Sequence, residues 1–258
     1  MIHPTAIVSP QARIHPEARI GPWCLIEGEV EIGARTELLR GVTVYGPCVI
    51  GADNVIASNC VLGGLPEDGA YQGEPSDLVI GDRNRIYESV VISRGSGRGR
   101  RQTRIGHDNL IMAHVHLAHD HWMGNHVRVT TSTIAGGHVV TEDHATVAAI
   151  CAIGPWVRIG RGAYVTAGTH LIRDVLPYAI AHGTNTVPHL RGANLVGLQR
   201  RGFSRADIRL LRSVMALWAD HQLSQAEILS RMDTEFPAHP LLDDIRQLVA
   251  QGQCGVLR

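Results

Sequence analysis

Aromatic residues are scarce in this chain: they make up 4% of 258 residues, with two phenylalanines. A core built around large rings is therefore excluded, and the interior must be made of small and branched aliphatics. Net charge is also missing, since 24 basic residues balance 24 acidic ones, which argues against a dedicated nucleic-acid binder. No run of 18 apolar residues occurs, so no transmembrane segment is expected. The start, MIHPTAIVSP, has neither a charged n-region nor an apolar h-region. The expected compartment is the cytoplasm.

What is present is a repeat of six. Every sixth residue from Ile2 is aliphatic through Val8, Ile14, Ile20, Ile26, Ile32, Leu38, Val44, Ile50, Ile56 and Leu62. The phase resumes at Ile80, Ile86 and Ile92, and again from Ile105 to Leu171, weakened only at Ala135 and Thr141. Four residues after each aliphatic stands a small residue, among them Ala6, Ala12, Ala18, Cys24, Val127, Thr133 and Cys151. Two inward positions per hexad, one large and one small, describe a left-handed parallel β-helix. Three hexads close one triangular coil, so residues 18 apart stack at about the 4.8 Å strand spacing. The pattern predicts a solenoid with a dry aliphatic interior over 1–187.

The same register reads other residues. Cys24, Cys48, Cys60 and Cys151 fall on the small inward position with no two 18 residues apart, so none stack on one another and they are buried thiols, not a disulfide or metal framework. His121 falls inward, whereas His114, His116, His119, His126 and His138 fall outward. Asp108, His126 and His144 share an outward column. Outward histidines in such numbers suit either a general base, since imidazole titrates near neutrality, or a zinc site completed by a neighbouring subunit. The general base is the better fit, and no metal is expected.

Insertions in a solenoid leave as loops, and loops carry function. One covers 63–78; the other, 93–104, holds five arginines and no acid. The second reads either as a mobile solvated loop or as a docking patch for an acidic protein. From 188 to 258 the hexads give way to a helical domain. Ser204 precedes one helix, Ser224 and Glu227 form a capping box before a second, and HPLLDDIRQLVAQ reads as a third. These helices are expected to cover the last coil.

The motifs EDGAYQGEPSDLVIGDRNRIYESV, NLIMAHVHLAHD, AGGHV and GLQRRGFSR, in that order, resemble the UDP-N-acetylglucosamine O-acyltransferase family, whose members open lipid A synthesis. The resemblance spans essentially the whole chain. It implies a homotrimer with active sites between neighbouring β-helices, moving an (R)-3-hydroxyacyl group from acyl carrier protein to the sugar 3-hydroxyl, with the carrier thioester as co-substrate and no cofactor. Carried over by position, His119 is the general base, Asp120 orients it, and the Gly137 amide meets the developing oxyanion. Asp68, His116 and His138 match sugar or acyl contacts, and Asn194 and Arg200 match the nucleotide-binding end.

Departures from the family pattern accompany these matches. Gly154 and Pro155 replace a His-Gln pair, Ser93 replaces a histidine, Glu67 replaces a glutamine, and Val196 stands where an acid is usual. The segment AHGTNTVPHLRGANL is about two residues longer than the family's, and Ala167 occupies the chain-length position, implying a medium acyl chain. These changes leave other acceptors open: another sugar nucleotide, an amino group such as that of a 3-amino UDP-sugar, or a β-helix that binds without catalysis.

Overall fold

A computed structural model describes residues 1–183 and 187–258. The first 183 residues wind as a left-handed parallel β-helix of strands mostly two to four residues long, gathered into three sheets of nine, eight and nine strands. Strands through Ala152–Ile153 pair in parallel with the one three places on, as Ile7 and Val8 do with Leu25 and Ile26, 18 residues later. The hexad aliphatics from Ile20 to Leu171 line the interior, nearly all with exposures of 3% or less. Each such burial contributes roughly 1.5–3 kcal/mol, so a coil's three aliphatics outweigh the modest pairing of its short strands. Many strands end in a turn whose second residue takes positive φ, as at Asp108, Asp120, His126, His138 and His144. Asp and His tolerate that region better than most side chains, which accounts for part of the histidine richness at these corners.

The interior is not uniformly aliphatic, contrary to the dry core expected from the hexads. One small-residue column holds Thr36, Asn54, Asn84 and Asn109, with exposures of 0–2%. They form a polar ladder. The backbone N–H of Asn84 donates to Asn54 Oδ1 at 2.9 Å, Asn109 N–H to Asn84 Oδ1 at 2.9 Å, and Val127 N–H to Asn109 Oδ1 at 2.7 Å. The amide groups of Asn54, Asn84 and Asn109 donate to the carbonyls of Gly81, Gly106 and Gly124. A buried polar group is tolerated when its hydrogen bonds are met, and here they are met coil to coil. The four inward cysteines are free and buried, and Cys24 and Cys60 donate to the Leu39 and Tyr87 carbonyls. Burial pushes the Cys60 thiol up to about 11, which keeps it protonated.

At the C-terminal end, the strand His189–Ala193 pairs antiparallel with Ala179–His182 and closes the ten-stranded sheet. Of the segment AHGTNTVPHLRGANL, residues 184–186 lie outside the described structure. Four helices follow: α1 (Leu195–Arg200), α2 (Arg205–Trp218), α3 (Gln225–Glu235) and α4 (Pro240–Gln251). α2 and α3 start with complete capping boxes, Ser204 with Asp207 and Ser224 with Glu227. The short α1, capped by Asn194, carries no hydrophobic period long enough to be read from sequence. Val256 bridges back to Asp174, so the chain's end is tied to the last coil.

Candidate active site

Two loops and three coils meet at one corner of the β-helix. His119 and Asp120 form the turn after the strand His116–Leu117, and Gly137 and His138 form the same turn one coil on. His119 Nδ1 lies 2.9 Å from Asp120 Oδ2, and the Asp120 side chain is fully buried. A carboxylate only accepts, so the imidazole proton sits on Nδ1 and Nε2 is left as a free base. The Gly137 backbone passes directly beneath the ring. A Cβ there would come within 2.5 Å of His119 Cε1 and 2.6 Å of Nε2, so only glycine admits the imidazole in this pose. Among the described residues, the Gly137 amide donates to no backbone carbonyl.

His138 crosses His119 edge to face at 4.9 Å and stacks flat on Trp156 at 3.8 Å. Burial depresses the His138 pKa, and the neighbouring Asp120 opposes that shift, so the ring is neutral near pH 7. His121, one position past the pair, points into the core; burial holds its pKa down at about 3.

Both insertions fold back onto this corner. From 63–78, Glu67 reaches His116 Nε2 at 3.1 Å and Asp68 lies beside Ser96. From 93–104, Gly95 and Ser96 are buried, and Gly99 sits so close that a Cβ would meet His138 Cε1 at 2.6 Å. The arginine-rich loop is therefore not a free solvated excursion. Its small residues pack on the site, while Arg98, Arg100 and Arg101 stay exposed and Arg100 lies 4.5 Å over the Trp122 ring.

The structure thus brings Asp68, His116, His119, Asp120, Gly137 and His138 to one corner. Asn194 and Arg200 are elsewhere. They line an open pocket of about 650 Å³ on the ten-stranded face, with His126, His144, Tyr164 and Val196. Asn194 is held there by donating to the Gly162 carbonyl at 3.0 Å and accepting from Gly197 N–H at 3.1 Å. The predicted histidine column is present in this pocket as a parallel stack of His126 and His144, 4.8 Å apart. The altered positions are structural in part: Ser93 is buried in a strand, and Pro155 packs under Gly136. Trp156 and Ser96 escaped the sequence reading, because the hexad register reports inward or outward but not what a loop lays over an outward residue.

One candidate cation cluster exists among the described residues. His119, Asp120 and His138 offer ligand atoms within 4.8 Å of one another. A cation bound through His119 Nδ1 would have to displace the proton that His119 shares with Asp120. The donor set is already committed to a hydrogen-bonded acid–base pair.

Residues 174–257 match a family model described as UDP N-acetylglucosamine O-acyltransferase, domain 2, and residues 29–64 match the bacterial transferase hexapeptide model. The whole chain superposes on solved UDP-N-acetylglucosamine acyltransferases. That of Francisella novicida is 30% identical with a TM-score of 0.96 and 94% of its length covered. That of Bacteroides fragilis is 31% identical with a TM-score of 0.96 and 100% covered, and that of Acinetobacter baumannii is 32% identical with a TM-score of 0.96 and 99% covered. The chain belongs to the UDP-N-acetylglucosamine acyltransferase family. Membership fixes the enzyme class, an acyltransferase on a hexapeptide β-helix. Among the described residues no helix is long and apolar enough to cross a membrane.

Proposed function

We propose that this acyltransferase moves an (R)-3-hydroxyacyl group from the thioester of acyl carrier protein to the 3-hydroxyl of UDP-N-acetylglucosamine, as a cytoplasmic homotrimer. The observation that carries the reading is the pairing of a base with a donor. His119 Nε2 is left free by the Nδ1 bond to Asp120, and the unengaged Gly137 amide lies immediately beneath it. In the reaction, Nε2 takes the proton of the sugar hydroxyl while its oxygen attacks the thioester carbonyl. The carbonyl oxygen gathers negative charge and receives the Gly137 N–H. Collapse of the tetrahedral intermediate breaks the C–S bond, and the thiolate leaves with the proton returned by the imidazolium. Asp120 stabilises that imidazolium without being protonated.

Asp68, His116 and His138 would hold the sugar and acyl groups around this centre. Asn194 and Arg200 would hold the nucleotide. These two lie on a different face from His119, so one chain alone does not close a site around the substrate. A trimer in which the corner of one subunit meets the ten-stranded face of the next supplies both halves. The exposed arginines of 93–104 are the expected seat of the acidic carrier protein, and free buried thiols suit a reducing compartment.

The test is mass spectrometry of the products formed from acyl carrier proteins of several chain lengths, with UDP-N-acetylglucosamine and its 3-amino analogue as acceptors. A 3-O-acyl product that vanishes in His119→Ala is expected. Exclusive transfer to the amine would move the reading to the analogue, and no turnover with any pair would overturn it. A requirement for bound zinc would overturn the assigned chemistry.

A further inference from the structure

Ser96 is fully buried, although it sits in a loop carrying five arginines. It makes two hydrogen bonds in different directions. Its backbone N–H donates to Asp120 Oδ2 at 2.8 Å, and its hydroxyl donates to Asp68 Oδ2. Asp120 Oδ2 therefore receives two donors, Ser96 N–H and His119 Nδ1–H. The Asp68 carboxylate is pinned on its other oxygen by Ala70 N–H at 2.9 Å. One serine thus joins the two insertions to the acid–base pair.

We propose that Ser96 is a positioning residue for the acyl transfer, a clamp that holds the sugar-contacting Asp68 and the base-orienting Asp120 in one alignment. The inference rests on the reaction proposed above and goes beyond it by giving the arginine-rich loop a part in that reaction.

The loop is built to present Ser96. Gly95 turns so tightly that a Cβ would fall 2.1 Å from the Arg101 carbonyl carbon, and Gly99 closes over His138 and Asp120 Oδ1. The hydrogen bond from Ser96 is the leading reason that the Asp68 carboxyl is held below the usual carboxylate range. The two bonds act on different steps. The hydroxyl fixes a substrate contact; the amide fixes the orientation of the base.

Variants separate them. Ser96→Ala keeps the amide and removes the hydroxyl. It is expected to raise KM for UDP-N-acetylglucosamine, and its Kd by calorimetry, roughly tenfold, as befits one charge-assisted bond, with kcat little changed. Ser96→Thr should restore both. Ser96→Pro removes the amide donor as well and should lower kcat about tenfold or more beyond Ser96→Ala, with the β-helix intact by circular dichroism. In a double-mutant cycle, Asp68→Asn combined with Ser96→Ala should cost no more than Asp68→Asn alone. An active wild type with a Ser96→Ala variant of unchanged KM and Kd, or an additive cycle, would overturn the clamp alone. A wild type that neither binds nor turns over UDP-N-acetylglucosamine would sink the proposed reaction and the clamp together.

Discussion

His138 lies flat against Trp156, with ring planes 9° from parallel and centroids 3.8 Å apart. The pair stands edge-on to His119, so the imidazole beside it is held between an aromatic wall and the Asp120 carboxylate, 3.9 Å from Nδ1. The indole is partly exposed, and the sequence offers no hexad reason for a tryptophan at this corner.

That stack supplies an optical probe. An imidazolium quenches a contacting indole, and the His138 pKa is depressed from 6.5 by burial. The Trp156 contribution to fluorescence should therefore hold steady through neutral pH and drop only below about 6.5, with no such transition in His138→Gln or Trp156→Phe. A transition that survives in His138→Gln would assign the quenching to another group.

Gly137→Ala should inactivate without unfolding. The added methyl would overlap His119 Cε1 and Nε2, so the ring must swing off its bond to Asp120. A fall in kcat of roughly 100-fold or more is expected, comparable to loss of an oxyanion donor, while thermal unfolding stays close to wild type. Near-normal turnover would remove Gly137 from the reaction.

Stability should depend on His121 in acid. Its folded pKa of about 3 lies below the ordinary 6.5, so the unfolded chain binds a proton that the folded chain refuses. Stability contributed by the neutral ring is intact above pH 6.5 and is lost as pH falls from there toward 3, by up to about 1.4 kcal/mol per pH unit. Denaturant titrations at pH 7.5 and 5 should show a smaller difference in His121→Val than in wild type.

Asn84→Ala should be costly for a residue that touches no substrate. It strips a partner from the Asn54 side chain, the Gly106 carbonyl and the Asn109 amide, all inside the core. A loss of about 3 kcal/mol or more is expected from chemical denaturation, since each buried group left unpaired costs roughly 1–3 kcal/mol.

How much of this was legible beforehand follows from what a period can encode. A hexad register states which side chains face in; it sent the cysteines and His121 inward, where they are buried, and left His119 and His138 facing outward. It carries no information on tertiary return, so it could not show Ser96 descending onto Asp120 or Glu67 reaching His116. The five arginines of 93–104 drew the eye to charge, whereas the residues that pack are the loop's glycines and Ser96. The asparagine column was in plain sight at the small inward position, but its ladder emerges only when the coils are stacked across the insertions.

That stacking has a consequence for how the enzyme can change. Asn54 and Asn84 are 30 residues apart and Asn84 and Asn109 are 25 apart, against 18 for an uninterrupted coil, so the rungs sit on the coils from which the two loops depart. The excesses, 12 and 7 residues, are spliced out of the register by asparagine hydrogen bonds inside the β-helix. Loop length is thereby uncoupled from the placement of the turn bearing His119. Such an arrangement lets evolution, or an engineer, lengthen or shorten the loops while the turn bearing His119 stays where it is, provided Ser96 still reaches Asp120.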